Sequence, residues 1–462
     1  MAQDLDAQSA GPIHIGWRPR AVMPTLITVA ALVTIVSSLG APLIPSIARE
    51  DRVPLSTAEW LLTAALMTGA LATPVMGRLA DGPHKRRVIE VALAMVLLGC
   101  VVSAVSTTFV TMVLGRGLQG VGLGLLPVTM ALARSELSSE KAARAIATLS
   151  VTGAAGAGIG YPLTAMIAQA FGFRAAFWFG AVAVALALAI VAAVLPGRSE
   201  TVRRKLDTVG LATLGLAVVG LVVVLSEGGQ WGWTSPLTLA IVGGCVVFSG
   251  LWVYQELTTA DPLVDVRQVR NRAVLTADVS GFLIAVAMYL FLPIVVVFVQ
   301  VPPANGYGFG ASVILSSLVL IPLSVGSFAA SRCLVVYQRR FGMRSTIPLG
   351  SLVFAASALF FAIEHRALWE AFVAAGIAGL GIGFTFAAMP GFIVRAVPVE
   401  ETGSAIGFYQ VLRSIGLSLG SALAAAILMA STPTGQVYPH FEGFHLTLLV
   451  ASGVGAFAAV VS

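Results

Sequence analysis

Long apolar runs separated by short polar loops limit what this chain can fold into more than any other feature of its sequence. Fourteen such runs follow one another along the 462 residues, each long enough to cross a bilayer as a helix. Roughly 20 apolar residues suffice for one crossing. Because lipid offers no hydrogen-bond partners to the backbone, spanning runs must be helical. The sequence therefore predicts an all-α integral membrane protein with 14 transmembrane helices.

The composition supports the same prediction. Only 10% of the residues are charged, whereas soluble domains carry about 25%. Such a chain lacks the polar residues that a water-soluble surface needs. The predicted spans, numbered 1 to 14, are residues 22–47, 57–76, 88–107, 109–132, 145–169, 175–195, 207–226, 235–254, 273–299, 311–330, 345–363, 369–390, 404–430 and 443–461.

The placement of the basic residues predicts the orientation. Most Lys and Arg residues outside the spans fall in loops on the same side as the N-terminus, and the exceptions are Arg49, Arg52, Arg174 and Arg366. Because basic loops stay cytoplasmic, both termini of this multi-pass chain are expected in the cytoplasm. The net charge of +6 is then a signal of topology. No nucleic acid is expected as a partner, since no basic stripe interleaved with aromatic residues occurs.

The remaining partners follow from this assignment. The lipid bilayer surrounds the chain, and we expect it to act as a monomer. Its richness in Ala, Gly, Val and Arg is typical of a high-GC bacterium, which indicates a bacterial cytoplasmic (inner) membrane.

A weak internal repeat predicts the domain organisation. One basic loop follows span 2 at 77–87, and a similar loop follows span 10 at 331–344. Each follows the second helix of a set of six if spans 7 and 8 are an insertion. We therefore predict an N-terminal six-helix half at 1–200, a two-helix insert at 201–262 and a C-terminal six-helix half at 263–462. Two halves around a central cavity are typical of transporters.

No pattern in the sequence indicates an enzyme. A phosphate-cradling Lys loop, a nucleophile elbow and metal-spaced His or Cys sets do not occur. Cys100, Cys245 and Cys333 show no redox spacing. We expect no cofactor, no metal, and energy from an ion gradient rather than from ATP.

The loop after span 2 contains the first specific motif, which begins Gly77-Arg-Leu-Ala-Asp81 and continues to Arg86 and Arg87. One acid among basic residues at a helix end can join two halves through ion pairs; the alternative is a plain topology anchor. The motif resembles the loop signature of the major facilitator superfamily. That resemblance implies a gating role for Gly77, Asp81, Arg86 and Arg87.

Other segments resemble the same family in the same order. Span 4 contains Arg116-Gly-Leu-Gln119-Gly120, which is similar to the family's Arg-x-x-Gln-Gly motif. Residues 401–416 and the insert resemble the fourteen-spanner drug:proton antiporter branch. The resemblance covers essentially the whole chain. It implies the major facilitator fold with two six-helix bundles, a two-helix insert and alternating access.

Arg116 is the clearest candidate for a functional residue. A charge near the bilayer centre costs at least about 2.5–3.5 kcal/mol, so it is usually functional. Gln119 and Gly120 share its helix face, and Gly120 with Gly124 permits close helix approach. The resemblance implies that Arg116 couples transport to protons; the alternative is an Arg that snorkels to the outer interface.

Span 5 contains Gly160-Tyr161-Pro162, which resembles the Gly- and Pro-rich antiporter motif at the interface between the halves. Gly160 and Pro162 are therefore predicted to serve helix packing. Tyr161 departs from the family pattern, which has Gly at this position.

A proton carrier is also needed, and span 1 lacks the Asp that the branch often has. Asp278 lies roughly 8 Å inside span 9 at the usual helical rise. Its alternative role is an interfacial acid paired with Arg270, Arg272 or another arginine. Glu59 is the second candidate carrier, and its alternative is an exposed acid at a helix start.

Spans 12 and 13 supply the remaining candidates for the cavity or for helix packing. Phe384 and Phe386 offer an aromatic wall, and Gln410 lies one turn before Arg413. Arg413 is either functional or a buried ion-pair partner. A mostly uncharged, apolar cavity favours lipophilic cations or neutral compounds and argues against a highly anionic substrate.

These observations predict a secondary active transporter that exports hydrophobic or amphiphilic, drug-like compounds in exchange for protons. One alternative is a proton symporter or uniporter for a small metabolite. Another is a non-transporting membrane sensor on the same fold.

Overall fold

The structure is a computed structural model that describes residues 19–40, 43, 47, 50–53, 58, 60–195, 207–259, 262, 266–267, 271–432 and 439–462. Within these ranges the chain forms helices and loops without strands. The helices are α1 (Pro19–Ser37), α2 (Trp60–Ala80), α3 (Lys85–Val105), α4 (Phe109–Gly120 and Leu125–Glu136, joined by the 3-10 turn Val121–Gly124), α5 (Ser139–Phe171), α6 (Phe173–Val194), α7 (Thr208–Trp231), α8 (Pro236–Thr258), α9 (Arg272–Gln300), α10 (Val313–Leu318 and Leu320–Phe341), α11 (Thr346–Ile363), α12 (Leu368–Ala396), α13 (Thr402–Ala430) and α14 (Phe441–Val461).

Twelve helices of the described residues are long and apolar enough to cross a membrane, namely α2 to α4 and α6 to α14. This number supports the all-helical prediction but not the predicted count of 14. The apolar part of α1, Ala21–Ser37, is shorter than the others. α5 is a helix of 33 residues with Pro162 in its interior.

The first predicted span, 22–47, is wrong at its C-terminal end because α1 ends at Ser37. Ser37 and Ser38 donate their hydroxyls back to the carbonyls of Val33 and Ile35. Side-chain bonds of this kind offer the backbone an alternative to a continuing helix. The chain turns at residues 38–40.

Most helices pack within two groups, α1 to α6 and α9 to α14. Contacts between the groups run from α2 to α13, from α5 to α10 and α12, and from the second part of α4 to α13. The predicted domain boundaries remain a prediction. The hairpin of α7 and α8 lies outside both groups, and its helix α7 packs against α2 and α13.

α2 and α13 approach most closely at two glycines. A Cβ atom on Gly77 would lie 2.6 Å from the carbonyl oxygen of Gly403, closer than real contacts allow. Both residues must therefore lack a side chain where the helices meet. We call this end of the bundle, which carries Asp81, Arg134 and residues 397–401, the basic end.

Candidate transport site

Arg116 lies on α4 with only 1% of its surface exposed. Its Nε donates to the carbonyl of Leu61 at 3.2 Å, and its Nη2 donates to the carbonyl of Ser37 at 3.3 Å. Its Nη1 donates to Oε1 of Gln119 at 2.6 Å. The guanidinium therefore ties the ends of α1 and α2 to α4, and every nitrogen has an acceptor. The alternative of a snorkelling arginine does not match this burial.

Gln119 extends the same network to α3. Its Nε2 donates to the carbonyl of Gly99 and to the hydroxyl of Ser103, both at 3.1 Å. Gly120 and Gly124 face α2, where a Cβ atom on Gly120 would strike the backbone of Ala65 and one on Gly124 would strike Met76. α4 therefore carries both a polar network and a close-packed glycine face.

Gly160 and Pro162 lie in α5 and are buried. A side chain at Gly160 would collide with Ser38, so α5 packs directly on the end of α1. Tyr161 is partly exposed and lies within electrostatic range of Arg116 and of Tyr289 on α9. The residue that departs from the family pattern therefore places a phenol between the two halves.

Arg413 lies on α13 in a different environment from that of Arg116. Its guanidinium carbon lies 4.4 Å from the ring centroid of Phe386 on α12, a cation–π contact. Its Nη1 donates to Oε1 of Gln410 at 3.2 Å. Nε is buried without a hydrogen-bond partner. The structure thus joins Gln410, Arg413 and Phe386 as predicted candidates.

Phe384 does not join that group. It lies 5.6 Å from Tyr337 on α10, centroid to centroid. Residues two apart on a helix point to nearly opposite sides, so the predicted wall of Phe384 and Phe386 is wrong as a single surface.

Asp278 lies on α9 and is 3% exposed. Neither carboxylate oxygen has a hydrogen-bond partner in the described part of the chain. Arg272 forms no ion pair with it there, while Arg270, the other predicted partner, and Glu59, the second candidate carrier, lie outside the described residues. Asp278 and Arg413 are both within electrostatic range of Tyr409.

Asp81 joins the two halves at the basic end. Its Oδ1 accepts the backbone N–H of Gly403 at 2.6 Å, and its Oδ2 accepts that of Ser404 at 3.0 Å. These donors belong to the first turn of α13, where unpaired N–H groups attract negative charge. The acid therefore caps a helix of the opposite half. The sequence predicted ion pairs between the halves at this loop, whereas the contact of Asp81 is with backbone N–H groups.

Burial raises the pKa of Asp81 from its ordinary 3.8 to about 6. Hydrogen bonds from Ser404 and Gly403 and the charge of Arg78 lower the same pKa but do not offset the loss of water.

The other two basic residues of the loop motif lie elsewhere. Arg86 donates to the carbonyls of Leu195 and Ala192 and pairs with Glu90, so it caps the end of α6 within its own half. Carbonyls at a helix C-terminus attract cations. Arg87 is exposed.

Arg134 forms a second link at the basic end, which the sequence reasoning missed. It donates to the carbonyl of Val397 at 3.0 Å, to that of Pro398 at 3.3 Å and to the hydroxyl of Thr402. In the sequence it is one of many loop arginines. Its position four residues after Met130, on a buried helix face, could have indicated that Arg134 is not an ordinary loop arginine. Its acceptors could not have been predicted, because they lie more than 260 residues away.

Comparison with known proteins gives a family. The Major Facilitator Superfamily profile matches residues 26–421. Multidrug resistance protein Stp of Mycobacterium tuberculosis is 26% identical over 403 residues, covering 86% of this chain and 74% of that protein. Multidrug resistance protein 3 of Bacillus subtilis is 23% identical over 418 residues, covering 89% and 78%. A triacylglyceride transporter of Mycolicibacterium smegmatis is 26% identical over 396 residues, covering 79% and 67%.

A solved structure agrees in fold. The crystal structure of the human organic anion transporter MFSD10 (TETRAN) superposes with a TM-score of 0.67 at 15% identity, covering 96% of this chain and 99% of that one. This likeness shows the shared architecture, and the family match covers most of the sequence. The chain therefore belongs to the Major Facilitator Superfamily and is a membrane transporter, not an enzyme.

Proposed function

We propose that the protein exports hydrophobic or amphiphilic compounds across the bacterial cytoplasmic membrane by proton antiport. Alternating access would expose a site between the halves first to one side and then to the other. The observation that carries this proposal is Asp278, a carboxyl buried in α9 that has no hydrogen-bond partner among the described residues. An unpaired carboxylate is costly there, and binding a proton removes its charge.

The topology we propose has 14 spans. α1 and α5 complete the twelve candidate spans, since α1 packs on α5 and α6 and α5 packs on α10 and α12. The basic end then faces the cytoplasm, because Arg and Lys accumulate on that side. We propose that the protein works in the bilayer as a monomer.

The contacts at the basic end fit a gate. Asp81 and Arg134 join the halves through polar bonds to backbone groups of Val397, Gly403 and Ser404 and to the hydroxyl of Thr402. Polar bonds of this kind can break and reform as the halves move. Relatives named multidrug resistance proteins support export of drug-like compounds as the direction and substrate class.

The test is flux in everted vesicles with an imposed proton gradient. We expect gradient-dependent uptake of an amphiphilic dye, abolished by an uncoupler. Asp278→Asn should abolish uptake driven by the gradient while leaving passive exchange of dye. The matched control is Asp207→Asn, because Asp207 caps α7 and Asn caps helices equally well.

Two results would contradict the proposal. Unchanged pH dependence in Asp278→Asn would exclude Asp278 as the carrier and turn attention to Glu59. Uptake that follows inward substrate and proton gradients together would indicate a symporter, and no flux of any compound by folded protein would favour the sensor.

A further inference from the structure

The guanidinium of Arg413 is a positive charge inside the bundle that forms no ion pair with any described residue. Across the part of the chain that the structure describes, its one hydrogen bond goes to the neutral amide of Gln410. No described carboxylate lies within ion-pair distance of it. A charge within a membrane protein is expensive unless something offsets it. The side chain of Phe386 offsets part of this cost through its ring face.

The geometry leaves one edge of the guanidinium unused. Gln410 takes Nη1, and Phe386 covers one face. Nε has no acceptor, and Nη2 lies beside it in the planar group. Two parallel N–H bonds along such an edge match the two oxygens of a carboxylate or a similar oxyanion. A buried donor that lacks an acceptor gains most from a ligand that supplies one.

Two tyrosines, one from each half, belong to the surroundings of Arg413. Tyr289 on α9 is within electrostatic range of Arg413, and Tyr161 on α5 is within range of Tyr289. All three side chains are partly exposed, and α9, which carries Tyr289, packs against α13, which carries Arg413. Phenol groups donate hydrogen bonds to anionic oxygens, and their rings pack against apolar matter. This set offers donors for an anion beside walls for a lipophilic body.

We propose that Arg413, with Tyr289 and Tyr161, binds the anionic headgroup of an amphiphilic substrate that carries a single negative charge. This inference rests on the proposed transport function and names its substrate class. It replaces the expectation of lipophilic cations with amphiphilic monoanions, such as long-chain carboxylates. Asp278 and Arg413 both lie within electrostatic range of Tyr409, and a proton on Asp278 would keep a second negative charge away from the headgroup.

The test uses three probes with one apolar body, namely 1-pyrenebutanoate, 1-pyrenebutanol and a 1-pyrenebutyl-trimethylammonium salt. Equilibrium binding to purified protein in nanodiscs is measured by pyrene fluorescence, with empty nanodiscs subtracted. Wild type should bind the carboxylate at least about tenfold tighter than the alcohol, as one charge-assisted pair gives. Arg413→Gln should remove that preference and leave the affinity for the alcohol unchanged.

The matched control is Arg332→Gln. Arg332 also stacks on a phenylalanine, at 4.7 Å from the ring of Phe328, but it is exposed on the outer surface of α10. This variant should keep the full preference for the carboxylate. Equal affinity of wild type for carboxylate and alcohol would overturn the proposal. So would a preference that survives in Arg413→Gln, or one that is lost in Arg332→Gln.

If Arg413→Gln does not fold, Arg413→Lys tests the proposal instead, because lysine keeps the positive charge but lacks the planar edge of the guanidinium. Its affinity for the carboxylate should fall severalfold, and an unchanged value would refute contact with Arg413. Because the binding measurement needs no proton gradient, it tests the anion site at Arg413 independently of proton antiport. Carboxylate binding without proton-driven flux refutes antiport alone, whereas proton-driven export of the cation without carboxylate binding refutes the anion site alone.

Discussion

The two interior arginines make a direct comparison, because each has a glutamine three residues away on its own helix. Arg116 on α4 donates from all three nitrogens to Leu61, Ser37 and Gln119. Arg413 on α13 donates only from Nη1, to Gln410. The same local pair therefore serves as a completed structural junction in one half and as an incomplete site in the other. The two arginines differ in their neighbours. Arg116 lies beside helix ends that offer backbone carbonyls as acceptors, whereas Arg413 lies beside the aromatic ring of Phe386.

The largest expected effect is on stability at Arg116. Arg116→Ala should lower the free energy of unfolding by about 3–5 kcal/mol, because several charge-assisted bonds vanish and buried acceptors stay unpaired. Thermal unfolding in detergent would measure this. Arg116→Lys, which keeps the charge and one or two bonds, should recover part of the loss. If the alanine variant were as stable as wild type, Arg116 would not stabilise the fold.

The second effect is the dependence of folding stability on pH that comes from Asp81, which joins the two halves. Protonation of Asp81 stabilises the folded state, since its pKa of about 6 exceeds its ordinary 3.8. That contribution is full below pH 3.8 and is lost as pH rises through 6, at most about 3 kcal/mol. Wild type should thus lose stability between about pH 4 and 6 relative to Asp81→Asn. Identical profiles of wild type and Asp81→Asn would contradict the assignment.

The third effect is at Arg413, where we expect a small change in stability and a large change in transport, the reverse of the emphasis at Arg116. Arg413→Ala should change the free energy of unfolding by less than about 1.5 kcal/mol, because one hydrogen bond and one ring contact are lost while a poorly paired charge is removed. Export should fall strongly in the same variant. A loss of stability equal to that of Arg116→Ala would make both arginines structural.

The last comparison is between the two glutamines, and its smallest expected effect is at Gln410. Gln119→Leu removes bonds to Arg116, Gly99 and Ser103, so we expect about 2–3 kcal/mol of destabilisation. Gln410→Leu removes one bond to a charged group and should cost about 1 kcal/mol. Parallel unfolding curves of the two variants, referred to wild type, provide the measurement. Equal costs would show that the networks are equivalent.

Much of the fold follows from local patterns. Apolar runs predict the helices, and the spacing of Arg116, Gln119 and Gly120 predicts one shared face, since neighbours three or four apart lie together. Asp278 is recognisable as an acid inside an apolar run.

The partners of these groups do not follow from local patterns. Asp81 meets Gly403 across 322 residues, and the acceptors of Arg134 lie 263 to 268 residues away from it. Whether Arg413 finds a carboxylate depends on neighbouring helices, so spacing on α13 cannot decide it. Phe384 and Phe386 show the same limit. They are close in sequence but lie on different sides of α12, where one contacts Tyr337 and the other Arg413.

The hairpin of α7 and α8 has a mechanical consequence. Leu214, Val218 and Trp252 of the hairpin form one apolar cluster with Ala70 of α2 and Val411 of α13, and Trp252 stacks on Phe408 of α13 at 5.8 Å. The hairpin therefore touches both halves at once. Because apolar contact has no preferred direction, we expect α7 to stay packed against both helices when the polar bonds at Asp81 break. The hairpin would then cover the junction of α2 and α13 throughout a transport cycle.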